Sequence, residues 1–153
     1  CIPVLLYDHR LRKVAAIHAG WKGTVQRIVE KTIEAMGSTG SNLSAIIGPG
    51  ISLQSFEVGD EVYERFLAEG FPMQRIAHRW PALSESPSTQ LGKWHIDLWD
   101  ANAWLLEQCG VRDIHIAGID TMTSPMYYSA RRETINTGRN YNWIEILDEQ
   151  SAL

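Results

Sequence analysis

The sequence predicts an α+β fold, mixed β-sheets flanked by helices, built as one domain over residues 1–153. Three stretches carry that expectation. Two short apolar runs open the chain, Ile2-Pro3-Val4-Leu5-Leu6-Tyr7 and Val14-Ala15-Ala16-Ile17, separated by polar Asp8-His9-Arg10-Leu11, and together they read as a hairpin. Val25, Ile28, Val29, Thr32, Ile33 and Met36 then recur at the spacing of one helix face. Asn142-Trp143-Ile144-Glu145-Ile146-Leu147 reads as a closing strand. Strand–helix alternation alone also permits a doubly wound parallel sheet. The hairpin and the closing strand favour the mixed form.

The hairpin brings two metal-competent side chains together. Folded about the His9–Arg10 bond, it sets Cys1 opposite His18. Cross-strand partners have Cβ atoms roughly 4.5–5.5 Å apart on one face. A thiolate and an imidazole so placed would share one zinc ion. After His18 comes Ala19-Gly20-Trp21-Lys22-Gly23-Thr24, where Gly20 and Gly23 allow a tight turn and close backbone approach. Strand, glycine turn and helix start form a place where backbone N–H groups can face an anion. A packed thiol, a hydrogen-bonded histidine and an ordinary turn would give the same residues.

The elements follow in order. Thr24 reads as an N-cap and Gly37 as the residue closing that helix. Leu43–Ile47 reads as a strand ending in Gly48-Pro49-Gly50, a rigid turn that would offer backbone groups to a ligand. Phe56-Glu57-Val58-Gly59 leads into a second helix with Val58, Val62, Phe66 and Leu67 as its buried stripe. Residues 70–93, with three prolines and His78-Arg79-Trp80, read as a long surface loop, a lid or oligomer contact. Trp94-His95-Ile96-Asp97 enters a third helix capped by Asp97, with Leu98, Ala101, Asn102, Leu105, Leu106 and Cys109 facing inward and Gly110 at its end. Val111–Ile119 reads as a strand with His115 on its polar side. Arg131, Arg132 and Arg139 lie within nine positions beside Ser, Thr and Gly, which suits an oxyanion or phosphate as well as a set of surface ion pairs.

Composition narrows the function classes. The chain has 153 residues, 44% hydrophobic, enough for one real core. A net charge of −4 advertises no basic surface to nucleic acid or anionic membrane. No apolar run approaches a membrane span. Two cysteines make no disulfide scaffold, and a cytoplasmic location is the expectation. The chain begins at a strand residue, Cys1, rather than at Met. A processed N-terminal cysteine would be a nucleophile with its own α-amino base.

The Cys-x-Pro-Val-Leu-Leu start, His18-Ala-Gly-Trp-Lys-Gly-Thr24, the Gly-Pro-x-Ile turn, Phe56-Glu-Val-Gly-x-Glu-Val62 and the Ser129-x-Arg-Arg…Thr137-Gly-Arg139 ending resemble the YfiH/DUF152 family, also called the polyphenol-oxidase laccase-domain family. The resemblance spans nearly the whole chain and is weakest at residues 70–93. Where relatives commonly have Cys-Thr, this chain has Asp120-Thr121. It implies a zinc-dependent purine nucleoside phosphorylase and adenosine deaminase, with purine nucleosides and phosphate as partners. Zinc would take Cys1 and His18 as ligands, Arg131, Arg132 and Arg139 would hold phosphate, and Gly20, Gly23, Gly48 and Gly50 would line the substrate. A third ligand, a histidine, is implied upstream of Cys1, so the chain is expected to be a fragment with an incomplete site. Copper is the alternative that the older family name carries, although five histidines without a His-x-His pair do not suit a multicopper cluster. Two other readings remain: a Cys–His hydrolase or amidase editing peptidoglycan precursors, with Cys1 as nucleophile, and a non-catalytic metal-binding fragment.

Overall fold

Residues 1–80 and 92–147 are described by a computed structural model. Strand β1 (Ile2–Asp8) alternates inward and outward side chains, and Ile2, Val4 and Leu6 are wholly buried. It pairs antiparallel with β2 (Lys13–Ala19) on one side and with β3 (Leu43–Ile47) on the other. Strand β7 (Asp113–Ile116) completes the sheet by pairing parallel to β3, giving the order β2-β1-β3-β7. A second, antiparallel sheet has the order β4-β6-β5, from β4 (Glu57–Val58), β6 (Lys93–Ile96) and β5 (Ala77–Trp80). With its helices the fold is α+β with mixed sheets.

The hairpin register differs from the expectation by two residues. Pro3, not Cys1, stands opposite His18, and the last pair is Asp8 with Lys13. The turn is therefore the four-residue His9–Arg12. The Asp8 carboxylate accepts the Arg10 and Leu11 N–H groups at 2.9 and 2.7 Å, and Arg12 takes φ 51°. A shift of two preserves the face of every side chain. Cys1 and His18 thus become diagonal neighbours on the outer face.

The expected helix after Thr24 is two helices, α1 (Trp21–Val25) and α2 (Ile28–Met36). Arg27 breaks them with a left-handed backbone (φ 60°, ψ 42°). Its guanidinium is fixed by Glu30 and the Glu69 carbonyl and lies over Phe71 and Trp104. Thr24 is buried within α1 rather than capping it. Its hydroxyl donates to the Gly20 carbonyl at 3.0 Å and accepts the Asn102 amide at 3.1 Å. Gly37 ends α2 with φ 66°, the left-handed closure its position predicts.

Helix α3 (Asp60–Ala68) buries Val62 and Phe66, whereas Val58 belongs to β4 and Leu67 faces solvent. The part of 70–93 that is described is no loop. It holds the single turn α4 (Met73–Ile76) and strands β5 and β6, so His78-Arg79-Trp80 sits on a strand. The remainder of that expectation, 81–91, lies outside the described residues. Trp94–Ile96 is likewise strand, and α5 (Leu98–Gln108) starts after Asp97, which accepts the Asp100 N–H at 2.9 Å. Asn102, buried in α5, meets its polar demand through Thr24 and the Leu98 carbonyl. Cys109 is half-buried, and burial, followed by the Glu30 charge, pushes its thiol pKa up. Residues 142–147 form no strand: among the described residues they pair with no ladder, and Trp143 and Leu147 are exposed. A β pattern becomes a strand only where a partner edge meets it.

Helices α2 and α5 cover the inner face of the four-stranded sheet in one continuous core. The outer face, with Pro3, Leu5, Ala16 and His18, is left to the irregular segment after β7.

Candidate active site

Residues 121–142 stand over the outer face of the β1–β2 hairpin and enclose a cleft of about 710 Å³. Its floor is Cys1, Pro3, Leu5, Ala16 and His18, and its far wall includes Tyr128, Ser129, Arg131, Thr137 and Arg139. That size suits a drug-sized or nucleoside-sized ligand.

Gly20 explains how Cys1 and His18 share this floor. A Cβ built there would lie 3.2 Å from the Cys1 Sγ and 3.8 Å from the His18 Nε2. The two donors thus border one small volume, kept open by the absence of a side chain. Thiolate and imidazole are the donor types that zinc prefers. Among the described residues no group of three or more His, Cys, Asp or Glu converges, so this chain brings two donors to that point. The residues fit one metal ion with two of its positions filled. They do not fit a multi-histidine copper cluster.

The other glycines serve the backbone. Gly23 lies in α1, where an added Cβ would meet the His18 carbonyl at 3.5 Å. Gly48 and Gly50 sit behind the floor, and added Cβ atoms would strike Pro3 at 2.9 Å and Ile2 at 2.4 Å. Their N–H groups are already given to the carbonyls of Pro3 and Ile119. What the Gly-Pro-Gly turn presents to the cleft is the flanking Pro49 and Ile51.

The three arginines separate by what their guanidinium groups touch. Arg131 gives one Nη1 bond to the Glu57 carbonyl at 3.0 Å and lies 5.5 Å from the Phe56 ring centre. Among the described residues its Nε and Nη2 meet no acceptor, and they remain for a ligand in the cleft. Arg139 lines the cleft but gives both Nη groups to the nearby carbonyls of Ile135, Thr137 and Gly138. Arg132 is absent from the lining, and all three of its nitrogens are engaged by the protein.

Asn140 in the wall and Asp120 next to it were given no site role by the sequence. Asn140 pairs its side-chain amide with the Tyr128 peptide, accepting its N–H at 3.0 Å and donating to its carbonyl at 2.8 Å. Asp120 accepts the hydroxyls of Ser52 and Ser55 and the N–H of Met122, clamping the 50–55 turn to the wall. Burial works to raise the Asp120 pKa, but these hydrogen bonds outweigh it and the carboxyl titrates below its ordinary value. An Asx side chain that imitates a backbone partner is the sequence signal for both, and for Asp120 so is its place where relatives commonly have cysteine.

A β-hairpin floor bearing a thiol and an imidazole thus faces a wall bearing arginines, on an α+β fold with mixed sheets. The family model for multi-copper polyphenol oxidoreductase laccase matches residues 1–147, and the chain belongs to this laccase-domain (YfiH/DUF152) family. A purine nucleoside phosphorylase of Bacteroides thetaiotaomicron is 44% identical over 153 residues, covering 95% of this chain and 54% of that protein. Adenosine deaminase RL5, from an unknown prokaryotic organism, is 39% identical over 150 residues, covering 94% and 54%. Among solved structures, Neisseria meningitidis NMB0706 superposes with a TM-score of 0.75 at 29% identity, over 88% of this chain and 52% of that one. Bacillus licheniformis YfiH gives 0.71 at 27%, over 86% and 49%. The chain therefore spans about half the length of the relatives it matches. Among the described residues no helix is long and apolar enough to cross a membrane.

Proposed function

We propose that the cleft binds a purine nucleoside and phosphate and serves phosphorolysis: phosphate oxygen bonds to the ribose C1′ as the C1′–N bond breaks. The products are ribose 1-phosphate and the purine, whose nitrogen takes up a proton. The carrying observation is the cleft in which Arg131, whose Nε and Nη2 meet no acceptor among the described residues, faces the Cys1–His18 floor. The names of the relatives at 44% and 39% identity support the substrate class.

In this reading Arg131 anchors phosphate, a planar cation with free N–H groups being the fitting partner for a tetrahedral oxyanion. The Phe56 ring and the Glu57 carbonyl keep it from swinging into solvent. Tyr128 offers an aromatic face to the base, held flat because Gly138 has no Cβ to push it away. Pro3, Leu5 and Ile51 exclude water from the apolar side. Cys1 and His18 would hold a zinc ion. When bound, zinc supplies a water acidic enough to give hydroxide near neutral pH, the chemistry that adenosine deamination requires. Free thiols at Cys1 and Cys109 accord with a reducing, cytoplasmic setting.

The test is release of purine and ribose 1-phosphate from inosine and adenosine as phosphate is varied, using the purified protein. Arg131→Gln should raise the phosphate KM at least about tenfold, the equivalent of 1.4 kcal/mol. An unchanged KM would remove Arg131 from the anion site. One further reading uses the same adjacency at Gly20, with Cys1 as nucleophile and His18 as base of a hydrolase. Chelation separates the two: a thiol hydrolase keeps its activity without metal, and a zinc enzyme loses it.

A further inference from the structure

The wall that completes the cleft has almost no regular structure. Among the described residues, the one pairing of strand type from Ala117 to Leu147 is the bridge between Gly50 and Asp120. Backbone carbonyls outside a ladder are met by water or by side-chain donors. One residue supplies a cluster of them. Arg132 Nη1 donates to the carbonyls of Thr121, Met122 and Ser124 at 3.2, 3.2 and 2.9 Å. Its Nη2 donates to the Tyr127 carbonyl at 2.6 Å and the Glu133 carboxylate at 2.7 Å, which also takes Nε at 3.3 Å. The second oxygen of Glu133 accepts the Thr137 hydroxyl, and its carboxyl pKa falls below the ordinary value, through Thr137 first and Arg132 second.

One guanidinium therefore gathers residues 121–127 and, through Glu133, reaches 137. Thr121 and Thr137 both face the cleft. Arg131 is the adjacent residue, so its backbone direction is set by whatever fixes Arg132. We propose that Arg132 is a positioning residue: it touches no ligand, and its guanidinium folds the ladder-free wall so that Arg131 stands in the cleft. The geometry requires a planar fork with several N–H groups in fixed directions, and lysine, a point charge on a flexible stem, does not reproduce it. The kinetic consequence rests on the phosphorolysis reading above; the folding of the wall does not.

The experiment pairs amide hydrogen exchange with phosphorolysis kinetics on wild type, Arg132→Lys, Arg132→Ala and Arg131→Lys. Both Arg132 variants should exchange at least about tenfold faster across 121–127, with the 2–19 hairpin unchanged. Their kcat/KM values should be equally low, within about threefold, since lysine restores charge but not the fork. Arg131→Lys should leave exchange at 121–127 unaltered and keep part of the activity. Recovery of activity in Arg132→Lys with wild-type exchange would overturn the proposal and make Arg132 a simple charge. If Arg132→Ala does not fold, Glu133→Gln reads the same hub more gently and should quicken exchange around 121–137; no change there would also refute it. If wild type shows no phosphorolysis, the exchange data still decide the role of Arg132, and only the functional reading fails.

Discussion

Gly20→Ala isolates the space between Cys1 and His18 from everything else in the protein. Gly20 has φ −67° and ψ 170°, a conformation open to alanine, so the backbone carries no strain. It is the N-cap of α1, where alanine is worse than glycine by about 1 kcal/mol. For a chain of this size that lowers Tm by roughly 3 °C. The effect at the site is far larger. The new methyl would stand 3.2 Å from Sγ and 3.8 Å from Nε2. Zinc bonds to these atom types run about 2.3 and 2.0 Å, so a methyl that borders both donor atoms crowds an ion held by both. Zinc affinity should therefore fall at least about 100-fold, or 2.7 kcal/mol. Competition against a chromophoric chelator measures this directly, with cobalt(II) as a spectroscopic check for a thiolate ligand. Cys1→Ser and His18→Ala should lose affinity to a similar extent. Zinc binding unchanged in Gly20→Ala would place any metal elsewhere and refute the shared-cradle argument.

Asp120→Asn should cost about 1–2 kcal/mol at neutral pH by weakening the clamp on Ser52 and Ser55. Because the folded pKa of Asp120 is depressed, its contribution is complete above the ordinary carboxylate range and fades as pH falls through the folded value. Urea titrations should therefore show the gap between wild type and variant closing on acidification. Asn102→Ala removes a wholly buried side chain bonded to Thr24 and to the Leu98 carbonyl, and should cost about 2–3 kcal/mol in the same titrations. Arg75→Ala should change stability by less than about 1 kcal/mol despite ion pairs to Asp100 and Glu107, since that side chain is 38% exposed and water screens both pairs.

Much of this architecture was legible in the residues, and the misses have definite causes. The outer face of the hairpin could be read because a period of two fixes which side chains share it. The register could not, because the turn depends on Arg12 adopting a left-handed backbone that arginine does not advertise. Arg27 hid the break between α1 and α2 in the same way: the apolar stripe runs on unbroken from Val25 to Met36. Strands β5 and β6 were lost among prolines and serines, since β5 pairs with β6, and β6 with β4 besides, only in the folded sheet. For the site, Cys1 and His18 were visible as chemistry, whereas the division of labour among Arg131, Arg132 and Arg139 was not. Three arginines in one motif look alike until their carbonyl partners, up to 74 residues away in the chain, are known.

The sheet order also gives the site a history. Its floor comes from a hairpin closed by four residues, and such units form within about 1–10 μs. Its wall hangs from β7, whose parallel pairing with β3 joins Ser44 to Asp113 across a separation of 69 residues. Pairings of that span come late, because the loop they close must be ordered before the contact is gained. The thiol and imidazole are thus neighbours before Arg131 reaches them, and the cleft is assembled from its floor upward.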